Sequence, residues 1–154
     1  MKIYTLQARQ ALPISLPTAW DFFSSPRRLA EITPPWLNFR VTSHVPEKMY
    51  AGMIITYQIR PFGNISVEWL TEITHVQEPF LFVDEQRSGP YQLWHHQHAF
   101  REITGGVEIT DLVHYALPYG VFGRLLHQLA VATRLRDIFD FRKARLEQIF
   151  GRIV

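Results

Sequence analysis

LWHHQHAFREITGGVEITDLVHYAL covers residues 93–117 and holds two alternating runs, 93–103 and 107–117, around Thr104-Gly105-Gly106. Side chains alternate across a strand. Trp94, His96, His98 and Phe100 therefore share one face, and Leu93, His95, Gln97 and Arg101 take the other. In the second run Val107, Ile109, Asp111, Val113 and Tyr115 share a face, opposite Glu108, Thr110, Leu112 and His114. The aromatic and branched residues mark the inner face in both. If the loop closes as a two- or four-residue hairpin, His96, His98 and Asp111 gather on that inner face. Pairing of Ile103 with Gly106 sets His98 directly across from Asp111, whereas a three-residue loop breaks the register. His95 and His114 fall outward.

Period two extends outward from this hairpin. Residues 2–12 read as a strand, as do the runs 39–45, 53–59, 65–74 and 80–87. Between the first strand and the rest, PTAWDFF (17–23) and PRRLAEI (26–32) read as two short helices opened by prolines. After Pro118 and Gly120 the spacing becomes helical. Phe122, Leu125, Leu129, Ala132, Leu135, Phe139, Leu146 and Ile149 form one stripe from about 121 to 150. The order is strand, two short helices, six strands and a long helix. An antiparallel sheet with one apolar face buries that face by curving round the helix, so the fold class is α+β. No repeat, low-complexity segment or linker divides the chain, and residues 1–154 are expected to form a single domain.

Composition narrows the function classes. The chain is 47% hydrophobic and carries 11 Phe, 6 Tyr and 4 Trp, ring area enough to fill a large core or to line an apolar cavity. It has no cysteine, which excludes thiolate nucleophiles and cysteine-bound zinc. The N-terminus lacks the continuous apolar segment of a signal peptide, and no run approaches the roughly 18 apolar residues of a membrane span. A cytoplasmic location and no stable membrane insertion are expected. The formal charge is +2. Its basic concentration, Arg134, Arg136, Arg142, Lys143 and Arg145, is interleaved with Asp137, Asp140 and Glu147, which reads as a solvated helix face rather than a nucleic-acid site.

The motifs together resemble the START-like SRPBCC superfamily, and within it the bacterial ligand-binding SRPBCC domains related to polyketide cyclases/dehydrases and lipid-transport proteins. The resemblance rests on LPISLPTAWDFFSSPRRLAEITPPWLNFRV (12–41), WLTEI (69–73), FVDEQRSGPYQLWHHQHAF (82–100), GGVEITDLVHYALPYG (105–120) and FDFRKARLEQIF (139–150). It implies a helix-grip fold: a seven-stranded antiparallel sheet wrapped around the C-terminal helix, with a cavity between them. It also implies a small hydrophobic ligand, whether lipid-, polyketide- or aromatic-like.

Three functions compete on these residues. In the first, a cavity lined by Tyr57, Trp69, Asp84, Gln86, Trp94, His96, His98, Phe100, Asp111 and Tyr115 binds such a ligand. In the second, a cyclase, dehydratase or hydrolase uses His96 or His98 as general base with Asp111 orienting it, and Asp84 or Gln86 holds a substrate oxygen. In the third, the aromatic interior is only core. G-x-S-x-G, H-E-x-x-H and G-x-G-x-x-G are absent from the sequence. His96, His98 and Asp111 match the ligand count of a catalytic zinc site, but a two-residue histidine spacing with no further strong ligand is weak grounds for one. No metal and no cofactor are expected.

Overall fold

In the computed structural model, described here for residues 1–153 and without the side chains of Phe62 and Leu129, seven antiparallel strands form one sheet. The strands are β1 (Tyr4–Leu12), β2 (Arg40–Val41), β3 (Met53–Phe62), β4 (Ile65–Gln77), β5 (Leu81–Ser88), β6 (Leu93–Ile103) and β7 (Gly106–Ala116), in the spatial order β1-β7-β6-β5-β4-β3-β2. From β2 onward each strand pairs with its sequence neighbour. β1 instead crosses over to lie beside β7, with Tyr4 opposite Tyr115 and Leu12 opposite Val107.

The β6–β7 hairpin is tight. Ile103 pairs with Gly106 and His98 with Asp111, so the loop is the two residues Thr104 and Gly105. Gly105 has φ +85°, a left-handed conformation that costs glycine nothing. The bulges sit in other strands. The register shifts between Ile59 and Phe62 of β3, and β4 carries an unpaired residue, Thr74, between Ile73 and His75. Each bulge bends its strand and sharpens the local twist, which curls the sheet.

Helix α1 (Leu16–Phe23) opens at Ser15, whose hydroxyl accepts the Thr18 N–H at 3.2 Å, with Pro17 where a backbone donor is not needed. Trp20 from α1 makes edge contacts with Phe82 and Phe100, fixing the helix on the sheet. The second expected helix is shorter than its apolar spacing suggested: α2 (Pro26–Leu29) tightens into a 3₁₀ turn over Ala30–Ile32.

At the C-terminal end α3 (Gly120–Leu126) runs through a π-turn at His127–Val131 into α4 (Ala132–Phe150). The π-turn adds a residue to the turn and rotates the helix face. Leu135, Phe139 and Leu146 are buried as expected, but Phe122 and Leu125 stand 80% and 54% exposed, and Ile149 is exposed as well. Leu129, the remaining member of the expected stripe before Ala132, has its side chain outside the described residues. The expected 39–45 strand is reduced to Arg40–Val41. Phe39 packs on Tyr57 instead of pairing, and the chain leaves the sheet edge before Val45 reaches the core. No helix among the described residues is long and apolar enough to cross a membrane.

Gly106 marks where β1 and the hairpin approach most closely. A Cβ there would fall on the Leu12 carbonyl oxygen. Gly106→Ala should therefore cost about 1–3 kcal/mol by overpacking, read as a lowered urea midpoint at unchanged slope.

Candidate functional site

The inner face of β5, β6 and β7 carries a buried polar group. Cross-strand pairing sets Asp84 opposite His96 and His98 opposite Asp111, and period two turns all four inward. His96 Nε2 donates to Asp111 Oδ1 at 2.9 Å, and His98 Nε2 donates to Asp84 Oδ2 at 2.8 Å. The partners are crossed relative to the strand pairs, because each long imidazole reaches the carboxylate diagonal to it. The second nitrogens close the square. His96 Nδ1 lies 3.5 Å from Asp84 Oδ2, and His98 Nδ1 lies 3.0 Å from Asp111 Oδ1, the latter without hydrogen-bond alignment. The two rings sit 3.7 Å apart, and Phe82 stacks on His98 at 4.1 Å.

A fifth member comes from α4. Arg142 places a guanidinium nitrogen 3.7 Å from Asp111 Oδ1, with its side chain only 11% exposed and its guanidinium over the Phe139 ring. The basic and acidic residues around it in sequence suggest a solvated face; Arg142 itself does not lie on one. A readable signal existed, since Leu135, Phe139, Arg142 and Leu146 are spaced by four, three and four residues.

On the two carboxyls and the two imidazoles burial is the strongest influence, and it disfavours charge. On Asp111 it is outweighed by the hydrogen bond from His96 and the close contacts and charges of both imidazoles, which hold the carboxyl well below its usual range. On Asp84 it is outweighed by the charge of His96, the bond and charge of His98 and the charge of Arg142, and the carboxyl is lowered. The two histidines separate. Burial, reinforced by the neighbouring His98 charge, pushes His96 down, while the close contact of His98 with Asp111 and its hydrogen bond to Asp84 overcome burial and raise His98. The two imidazoles and the Arg142 guanidinium thus stand against the two carboxylates, with His98 the more readily protonated of the pair.

A pocket of about 350 Å³ lies between this wall, α4 and the α1–α2 segment. Tyr57, Trp69, Asp84, Trp94, His96 and His98 border it. The other four sequence-predicted residues do not. Asp111 stands behind His96. Phe100 packs in the core with Trp20 and Phe82. Tyr115 hydrogen-bonds His127 Nε2 at 2.8 Å. Gln86 clamps the β5–β6 turn: its amide donates to the Tyr91 carbonyl at 2.6 Å and accepts the Tyr91 N–H at 3.1 Å. Sequence reading missed Arg142, Phe139 and Tyr91 on the pocket wall. Trp36 and Arg134 also border it, with Trp36 41% exposed and the Arg134 guanidinium 4.6 Å from its ring. That stack bridges the segment after α2 to α4. His95 and His114 are half-buried on the opposite sheet face, their rings 6.2 Å apart.

Asp84, His96 and His98 also bring potential ligand atoms within 4.8 Å of one another. Their nitrogens, however, point at carboxylate oxygens at hydrogen-bond and ion-pair distances, so an ion would have to displace these contacts.

Strand order, the crossover of β1 and the long helix across the inner face decide the architecture. It is a helix-grip fold. Solved structures share it along nearly the whole chain. A Chromobacterium violaceum protein is similar with a TM-score of 0.74 at 9% identity, covering 97% of this chain and 98% of its own. A Mycobacterium smegmatis protein is similar with a TM-score of 0.66 at 18% identity, covering 97% and 98%. A Thalictrum norcoclaurine synthase point mutant, in complex with a transition-state analogue, is similar with a TM-score of 0.66 at 12% identity, covering 96% of each chain. No family model and no curated protein matches the sequence.

The charge pattern dictates acid behaviour. Asp84 and Asp111 are more acidic folded than at their ordinary 3.8, so their contribution to stability is complete above that value and is lost as pH falls through the folded values. His96 adds to the loss on acidification below its ordinary 6.5, because the unfolded chain binds its proton more readily. His98 acts in the opposite sense: its contribution is complete below 6.5 and is lost as pH rises through its folded value. Thermal melts from pH 7 to 3 should show Asp111→Asn with a flatter acid decline than the parent chain. Equal slopes would contradict the assignment. Separately, His98→Ala leaves Asp84 without its hydrogen-bonded cation and should cost about 3–5 kcal/mol at pH 6, measured by chemical denaturation.

Proposed function

We propose that the chain binds a small hydrophobic molecule, lipid-, polyketide- or aromatic-like, in the pocket between the sheet and α4. The observation that carries this reading is the pocket itself: about 350 Å³ of space walled by Trp69, Trp94, Tyr91 and Phe139, with Asp84, His96, His98 and Arg142 among its polar lining. Binding sites for small molecules are commonly apolar concavities of roughly 300–1,000 Å³ with a few convergent polar groups. An interior that served only as core would be packed to crystal-like density without such a space. The likeness of the sequence motifs to ligand-binding SRPBCC domains supports the same conclusion. So does the small molecule held by the norcoclaurine synthase neighbour of the same fold.

Catalysis by a His–Asp pair is the competing reading, and the geometry favours it less. A general base needs a nitrogen facing the substrate. His96 and His98 each spend Nε2 on a carboxylate, and their Nδ1 atoms lie 3.5 and 3.0 Å from another. The group is arranged to stabilise charge more than to move a proton. The binding reading also requires no metal.

The neutral fluorophore N-phenyl-1-naphthylamine should bind the native protein with saturation near one per chain, accompanied by energy transfer from tryptophan. Prior treatment with a chelator should leave the titration unchanged. Fluorescence that rises only when urea begins to unfold the chain would count against the pocket, and loss of binding with the chelator would count against the metal-free reading.

A further inference from the structure

Arg142 has more bonding capacity than the protein around it uses. A guanidinium offers five N–H donors. Its nearest charged contact is the 3.7 Å approach to Asp111, which is an ion-pair separation and not a hydrogen bond, and its Nε is buried without a partner. It makes no hydrogen bond to any other described residue, yet the side chain borders the pocket. Balancing Asp84 and Asp111 explains why a cation is needed there. It does not explain why a long forked donor is held against Phe139 with its hydrogens unspent, since buried donors without acceptors are costly.

Taking the pocket as a binding site, we infer that its ligand is an organic acid, an apolar body bearing one anionic oxygen group, and that Arg142 receives that group. Arginine suits the task because its planar fork matches the spacing of oxygens on an oxyacid. The apolar remainder would lie along Trp69 and Trp94, which meet edge to face at 5.1 Å. The Tyr57 hydroxyl, kept neutral by burial and by the nearby Asp84 charge, offers a further donor on the same wall.

The arriving charge has a consequence for protons. Two carboxylates already face the two imidazoles and Arg142, so an added anion favours uptake of a proton by the cluster. The group able to answer is His96, which faces Asp84 from β5, His98 from β6, Asp111 from β7 and Phe139 from α4, with Arg142 of α4 reaching the same Asp111 oxygen that His96 binds. Tyr57 from β3, the remaining ionisable neighbour, is already neutral. Binding of the acid therefore favours protonated His96, and affinity for it rises as pH falls.

A matched pair of probes tests this. 1-Anilinonaphthalene-8-sulfonate and N-phenyl-1-naphthylamine share one aromatic body and differ in the sulfonate. The intact protein at pH 7 should bind the sulfonate roughly tenfold or more tighter, at one per chain and in competition with the neutral probe. In Arg142→Met the sulfonate should lose most of that advantage. Calorimetry of the parent chain in buffers of different ionisation enthalpy should show proton uptake with the sulfonate and none with the neutral probe. Equal affinities, a preference that survives in Arg142→Met, or absence of proton uptake would each overturn the inference and leave the pocket reading standing. Should Arg142→Met fail to fold, the proton uptake of the parent chain decides alone. Failure of both probes to bind would instead remove the pocket reading beneath it.

Discussion

Asp84 on β5 and Asp111 on β7 lie on the same inner face of the sheet, with β6 between them. Two carboxylates withdrawn from water cannot both stay ionised without cations beside them. The chain supplies these from β6, whose His96 and His98 reach to both sides, and from α4, whose Arg142 comes down from above. The requirement fixes more than two side chains. A one-residue slip of β6 would turn both imidazoles to the other face and strand the carboxylates. The register of three adjacent strands and the rotation of α4 are thus tied to one charge balance.

The same arrangement shapes the interior. Below the polar group the core is conventional: Trp20, Phe82, Phe100, Ile109 and Leu146 close around α1. Beyond it a second cluster joins Trp94, Val113 and Tyr115 to Val131, Leu135 and Phe139 of the C-terminal helix. A pocket persists between sheet and helix, bordered by both the apolar walls and the ionic group. In such a site electrostatic interactions are weakly screened, so the charge of an incoming molecule matters more than its contact area alone would suggest.

Solved structures at 9–18% identity keep this architecture over almost all of the chain. At that distance the shared property is the packing of a bent antiparallel sheet on one long helix, which many sequences satisfy. Function resides in the side chains placed on it. The side chains placed on it here form an aromatic pocket and a buried quintet with two acids, two imidazoles and one guanidinium.

Much of the frame was legible before any coordinates. Period two over 93–117 assigned every side chain of β6 and β7 to its face, and Thr104-Gly105 allowed the tight turn that sets His98 across from Asp111. These are local properties, decided by strand geometry and by one left-handed glycine. Other expectations depended on surroundings the sequence does not display. The 39–45 run has strand-like alternation but no partner beyond Val41, and pairing needs a partner. The helical stripe changes phase at the π-turn, which no spacing rule anticipates, so Phe122 and Leu125 face outward. Arg142 looked solvated because charge usually is, although its position in the stripe of Leu135, Phe139 and Leu146 placed it inward. Which imidazole binds which carboxylate was beyond the sequence altogether. That choice rests on diagonal reach between three strands and on Arg142 of α4, more than 30 positions further along the chain than Asp111. Only the folded chain brings those atoms to one point, and only there does the balance of burial against pairing decide their charges.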